Sequence, residues 1–204
     1  MADRTSHWEG VYAVRGAREV SWYQARPDIS LRLIEQLDIS PEDAIIDVGG
    51  GTSNLVDHLL ERNFADLTVL DISAAALEGV KARLGERSNR VRWLVGDITR
   101  LRPPGPYRLW HDRAVFHFLT DAADRHAYVA ALSAAVPVGG SLIMATFAED
   151  GPERCSNLPV CRYSPEQLAA TLGSGFALLD ARRETHVTPA QGEQKFIYAC
   201  FRRV

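Results

Sequence analysis

Residues 44–55 read AIIDVGGGTSNL: an apolar run that contains an acid near its end, then three consecutive glycines, then small polar residues. Ala44, Ile45, Ile46 and Val48 have the pattern of a buried strand, and Gly49, Gly50 and Gly51 let the backbone turn where side chains would block a ligand. The stretch therefore predicts a nucleotide-type pocket at the carboxyl end of a strand. Asp47, just before the glycines, is poorly placed for a pyrophosphate and well placed for a cationic amino group. Asn54 stands where the dinucleotide pattern G-x-G-x-x-G requires its third glycine, which argues against a nicotinamide oxidoreductase.

Outward from this loop the arrangement returns twice. LTVLDIS (67–73) delivers Asp71 at about the twenty-residue spacing at which the next parallel strand brings an acid to a ribose. VRWLVGDIT (91–99) delivers Asp97, followed by Ile98. Open α/β sheets bind ligands beyond the carboxyl ends of their strands. Capping of a following helix accounts for Asp71 or Asp97 taken singly, whereas three acids at this spacing point to one crevice.

As a set, D-V-G-G-G at 47–51 and D-I at 71–72 and 97–98 resemble the class I S-adenosylmethionine-dependent methyltransferases, from about Trp8 to the end of the chain. The resemblance implies an α/β, doubly wound, Rossmann-like fold: a seven-stranded, mostly parallel sheet with an antiparallel final hairpin. It implies S-adenosyl-L-methionine as cofactor. Position by position, it implies that Asp47, Gly49, Gly50 and Gly51 meet the methionine part and that Asp71 takes the ribose hydroxyls. Ile72 would pack on the adenine, and Asp97 and Ile98 would hold its edge. Ser53 takes the place of the last glycine of the family's longer loop and counts among the cofactor-binding positions.

With 204 residues, 46% hydrophobic and 24% charged, the chain can bury one sizeable core and has little room for a second domain. One domain over 1–204 is expected, with residues 1–40 as an arm and helix over the cofactor and 148–164 as a substrate-side loop. A net charge of −3 gives no general electrostatic reason to bind nucleic acid or an anionic membrane. The polar start MADRTSHWEG is no export signal, and Pro137, Gly139 and Gly140 divide the uncharged stretch 130–148 into helix, turn and strand. Three cysteines, without C-x-x-C or H-E-x-x-H spacing, fit a reducing cytosol and predict no disulfide framework and no metal. The expectation is a soluble cytoplasmic monomer or homodimer.

Helix and strand signals alternate as a doubly wound sheet requires. Strands are expected at about 43–48, 66–71, 90–96, 106–111, 141–147, 176–182 and 195–202, and helices at 28–37, after the glycine loop, at 75–84 and at 122–136. Ser164-Pro165-Glu166-Gln167 is a capping box that opens a further helix.

The remaining unusual residues flank this sheet. Trp8 and Tyr12 lie one helical turn apart in HWEGVY, and SWYQ adds Trp22 and Tyr23. They fit either an aromatic staple for the arm or a lid over the sulfonium, since an aromatic face attracts a cation by roughly 0.5–2 kcal/mol and excludes water. The W-x-x-x-Y arm resembles the branch that includes the elongation-factor lysine methyltransferases, in which the equivalent Trp and Tyr touch the cofactor; Ser21-Trp22 departs from that branch's D-W.

LWHDRAVFHFLTD (109–121) is dense in titratable groups. His111 or His117, oriented by Asp112, is the candidate proton acceptor, and these three are the expected catalytic residues. The plainer alternative is a local Asp112–Arg113 ion pair with His117 on a helix face. Against the E-K-G-T of the lysine-modifying branch, Asp112 and Arg113 fall on the acid and the base, and Arg113 is counted with the cofactor contacts. A carboxylate or thiolate acceptor would need no strong base, and Arg113 or Arg162 would then hold an anion. Cys155 and Cys161, in the long segment 147–164, fit a soft metalloid or thiol ligand less well than they fit ordinary half-buried thiols. HDRA replaces the N-P-P-Y of enzymes that methylate nucleic-acid bases. The expected function is methyl transfer to an N, O or S nucleophile on a small molecule, with protein lysine as the alternative acceptor and a non-catalytic cofactor-binding regulator as the third reading.

Overall fold

Short runs from the alternating helix-and-strand pattern become the parallel strands of the computed structural model, which describes residues 4–204. β1 (Ile45–Val48), β2 (Leu67–Asp71), β3 (Val91–Val95), β4 (Leu109–Arg113) and β5 (Ser141–Phe147) are parallel. A small hairpin follows, β6 (Arg154–Cys155) with β7 (Leu158–Pro159). β8 (Phe176–Val187) and β9 (Glu193–Arg203) then pair antiparallel, with β9 against β5, to complete a seven-stranded sheet of order β3-β2-β1-β4-β5-β9-β8.

The helices are α1 (Arg4–Val14), α2 (Asp28–Gln36), α3 (Leu55–Glu61), α4 (Ala74–Leu84), α5 (Ala122–Ala135) and α6 (Pro165–Leu172). They divide between the two faces of the sheet. Leu31, Leu55, Leu59, Leu77 and Val80 cover one face with Ile45, Leu67 and Leu109, while Tyr128, Leu132 and Leu168 cover the other with Ile46, Leu70 and Trp110. Burial on both faces is why β1 and β2 read as continuous apolar runs instead of alternating ones. α6 opens with the expected capping box: Ser164 Oγ accepts from the Gln167 amide at 3.2 Å and Gln167 Oε1 accepts from the Ser164 amide at 2.8 Å. Among the described residues no helix is long and apolar enough to cross a membrane.

Three elements differ from the sequence-based expectation. β4 starts and ends later than 106–111, because Pro103, Pro104 and Pro106 keep the approach out of the ladder and the strand itself is L-W-H-D-R. β8 runs past 182 through R-E-T-H-V, whose polar residues pair with β9 along an edge. The segment after β5 is structured, with the β6–β7 hairpin and a bridge from Ala148 to Tyr163.

The position of β4 decides where its charged residues go. Side chains alternate across a strand, so Leu109, His111 and Arg113 share one face while Trp110 and Asp112 take the other. Asp112 is fully buried there. Its carboxylate accepts from the Tyr128 hydroxyl and from the amides of Val115 at 2.9 Å and Phe116 at 3.2 Å; Trp110 Nε1 donates to Tyr128 at 2.9 Å. Burial pushes its carboxyl up to about 6. Asp112 thus anchors the turn that follows β4. Each donor left unpaired in such a site costs about 1–3 kcal/mol, so Asp112→Ala is expected to lower the free energy of urea unfolding by at least about 2 kcal/mol; an unchanged midpoint would remove Asp112 from the stabilising network.

Candidate functional site

The glycine loop turns directly off β1. Gly49 (φ +67°) and Gly51 (φ +45°) lie in the left-handed region that favours glycine. The Gly49 and Gly50 amides donate to the Leu70 carbonyl, which folds the loop across the tops of β1 and β2. A Cβ at Gly49 would overlap Val115, and one at Gly51 would overlap the Tyr12 hydroxyl. Asn54, in place of a third glycine, ties the loop outward: its Nδ2 donates to the Gln24 carbonyl at 2.9 Å. Ser53 lines the cavity beside it, and its Oγ accepts from the Leu55 amide at 3.1 Å.

Asp47, Asp71 and Asp97 all line one cavity above these strands, together with Gly49, Gly50, Ile72 and Ile98. Asp71 is buried, and its Oδ1 accepts from the Ser73 amide at 2.8 Å. Among the described residues no ion pair with Asp71 is formed, and desolvation raises its carboxyl to about 7. A vicinal diol would bring the two hydroxyl donors that such a carboxylate lacks. Asp97 Oδ1 accepts from the Thr99 amide and hydroxyl, and its Oδ2 meets Arg4 Nη1 at 3.4 Å. Ile72, Ile98 and Leu119 make this end an apolar slot for a flat ring.

At the other end, His111 is held from both sides. Its Nδ1 lies 2.7 Å from Asp47 Oδ1 and its Nε2 2.9 Å from Ser30 Oγ on α2. Asp47 and His111 are register partners on neighbouring strands. The expected orienting acid, Asp112, is on the opposite face of β4 and does not line the cavity. His117 does not line it either. It sits in the 3₁₀ turn Phe116–Phe118 between the Phe118 and Phe147 rings, its Nδ1 accepts from the Phe147 amide at 3.3 Å, and burial lowers its imidazole to about 3, leaving it neutral. Of the three expected catalytic residues, the structure brings only His111 to the cavity, and with both ring nitrogens engaged.

The arm closes the top. Trp8, Tyr12 and Trp22 line the cavity and pack edge-on or tilted, with Trp8–Trp22 centroids at 5.8 Å, Tyr12–Trp22 at 6.2 Å and Trp8–Phe118 at 5.0 Å. Staple and roof are therefore the same cluster. Glu9 seats α1 on the chain below by accepting from the Ala74 amide at 2.6 Å, and Arg4 joins Asp97 to Asp124. Arg113 also lines the cavity and is held by Tyr198 and the Trp22 carbonyl.

Ser30 and Arg4 carry no site reading in the sequence, yet both line the cavity; Cys155, weighed above as a thiol or metalloid ligand in the substrate-side loop and read as an ordinary half-buried thiol, lines it too. Ser30 carried a faint signal, four residues before Ile34 on the buried face of α2. Arg4 carried none, since the arm folds back on the site over a long sequence distance.

The donor set fits an adenosyl group: a buried acid held by backbone amides without a cation for a diol, an acid beside an apolar slot for a ring edge, and a carboxylate under a glycine turn for an amine. Asp71→Ala is expected to weaken S-adenosylhomocysteine binding by about tenfold or more in calorimetry, the loss of hydrogen bonds to a charged acceptor. Because the free carboxyl stands near 7, wild-type affinity is expected to rise as pH increases through about 7, and Asp71→Asn to flatten that profile; a pH-independent wild type would contradict it.

Residues 45–140 match a family model described as a methyltransferase domain. The chain is 30% identical over 100 residues to the mouse protein named eEF1A lysine and N-terminal methyltransferase, covering 48% of this chain and 14% of the relative. It is 24% identical over 150 residues to the cattle protein of that name, covering 70% of this chain and 21% of the relative. The chain thus spans 14–21% of the length of these curated relatives. Among solved structures, one described under the conversion of a disulfide bond into a thioacetal group during echinomycin biosynthesis shares the fold at TM-score 0.80 and 18% identity, over 98% of this chain and 92% of that one. The 1,6-didemethyltoxoflavin-N1-methyltransferase of Burkholderia thailandensis does so at TM-score 0.70 and 20% identity, over 98% and 84%. Glycine loop, acid-bearing strands and strand order agree with this match: over residues 45–140 the chain is similar to a methyltransferase domain, and it shares its fold with solved methyltransferases.

Proposed function

We propose that this chain is an active enzyme that transfers a methyl group from S-adenosyl-L-methionine to a small-molecule nucleophile. The observation that carries the reading is the convergence of Asp47, Asp71 and Asp97 on one cavity roofed by Trp8, Tyr12 and Trp22. When bound, the cofactor supplies a methyl group already activated on a positively charged sulfur. The chain's own task is then to hold, align and dry the reactants, and alignment alone accounts for up to about 7–11 kcal/mol of barrier.

Asp71 takes the ribose hydroxyls, Ile72, Asp97 and Ile98 take the adenine, and Asp47 with the glycine loop takes the methionine end. The aromatic roof excludes water and faces the cation. His111 works as a positioning residue in this scheme: wedged between Asp47 and Ser30, it fixes the carboxylate and offers no free lone pair for an acceptor's proton. The acceptor nucleophile accordingly arrives with its own lone pair available.

The small-molecule reading is supported by the cover that Cys155 of the β6–β7 hairpin and Trp22 of the arm add to the cavity lining. A neighbour of the same fold, the Burkholderia thailandensis enzyme, is named for a small-molecule acceptor. Protein lysine is the second reading, favoured by the names of the mouse and cattle relatives. Three free thiols suit the cytosol, where the protein would act as a monomer or homodimer.

Incubation with donor labelled on its methyl group and a lysate, separated into metabolite and protein fractions, tests the proposal. Label is expected in the metabolite fraction. Label confined to protein would establish the lysine reading instead, and donor binding with no label in either fraction would mark a non-catalytic cofactor-binding protein.

A further inference from the structure

The acceptor end of the cavity carries a charge that the donor-holding residues do not use, and its assignment rests on the small-molecule reading of the site. Arg113 closes β4 on the His111 face and lines the cavity, with its side chain only 10% exposed. Its Nε donates to the Tyr198 hydroxyl at 2.7 Å, its Nη1 donates to the Trp22 carbonyl at 2.9 Å, and the guanidinium lies over the Phe196 ring at 4.7 Å. Among the described residues Nη2 has no partner at hydrogen-bond distance, and the carboxylate it faces is Glu184, whose Oε2 lies 3.8 Å away. That carboxylate is already committed, its Oε1 accepting from Gln24 at 2.7 Å and its Oε2 from Tyr198 at 3.0 Å.

A buried guanidinium with an unused donor is an expensive feature unless something fills it, and its planar fork matches a carboxylate. The approach carries the same sign. Tyr23 and Gln24 belong both to the cavity and to an outer groove that holds Arg18 and Arg26, of which Arg26 pairs with Asp28. A lysine ammonium brought to this wall would instead meet a like charge.

We propose that Arg113 is the recognition residue for a carboxylate on the acceptor, so that the substrate is a small carboxylic acid. Two sources could present this chemistry, the acceptor and the amino-acid tail of the donor, and the test separates them. Wild-type protein saturated with S-adenosylhomocysteine is titrated by ligand-observed NMR with benzoate, phenylacetate and hexanoate, each against its primary amide. At least one acid is expected to bind about tenfold or more tightly than its amide, the worth of a charged hydrogen bond. Arg113→Met, checked by thermal melting and saturated with S-adenosylhomocysteine at its own affinity, is expected to lose that preference. Should Arg113→Met not fold, Arg113→Lys, which keeps the charge and loses the fork, is expected to shrink the preference.

Equal binding of acids and amides, or binding of neither, overturns the proposal. So does a loss of S-adenosylhomocysteine affinity in Arg113→Met with 5′-methylthioadenosine affinity retained, which would give the guanidinium to the donor's carboxylate. Wild-type protein that binds no S-adenosylhomocysteine at all would instead bring down the donor reading beneath it.

Discussion

The contact on which the site depends is the one between Asp47 and His111. β1 sits between β2 and β4, at the point where the strand order reverses and a doubly wound sheet leaves a crevice above its carboxyl ends. Register sets Asp47 beside His111 across that crevice, and Ser30 closes the far side of the imidazole. Three elements, β1, β4 and α2, are thereby locked at the level where the glycine loop turns. A shift of β4 by one residue would send His111 and Arg113 to the other face and bring Asp112 into the cavity. Position along the strand, more than residue type, separates the groups that face the ligand from the one that anchors the turn.

Electrostatically the cavity is a place where stability has been given up. Asp71 is buried without a cation, and its raised carboxyl means that its contribution to folding stability is present at low pH, below the unfolded value near 4, and is lost as pH rises through about 7. His117 has the opposite sign. Its lowered imidazole contributes stability above about 6.5 that is lost as pH falls. Near neutrality the fold therefore keeps the benefit of a neutral His117 and bears the cost of an ionised Asp71, a cost that hydroxyl donors from a bound ribose would relieve. The arm shows the same coupling, since Arg4 and the Tyr12 ring cover Asp97 and Asp71 where adenosine contacts would form.

Much of this was legible in the residues. Glycine loop, acids at strand ends and capping box each rest on a local rule, the final hairpin rests on the resemblance, and the sheet is the expected one. The HDRA segment was harder. A strand composed of L-W-H-D-R has no apolar signature, so its boundary fell short, and His111 was matched with its sequence neighbour Asp112 when its spatial neighbour is Asp47. Strand order puts β1 beside β4 in any sheet of this winding, and the register between them then sets Asp47 against His111. His117 misled for a different cause: a histidine among phenylalanines reads as chemistry but packs as core. Arg4 reaches the site by long-range folding, which no local pattern encodes.

A crystal structure of the protein with S-adenosylhomocysteine tests the central claim most directly. Adenosine is expected in this cavity, with the ribose hydroxyls on Asp71, the adenine between Ile72 and Ile98 with its edge at Asp97, and the amino group near Asp47 under the aromatic arm. Ligand bound elsewhere, or a cavity still filled by the arm with those three carboxylates untouched, would contradict it.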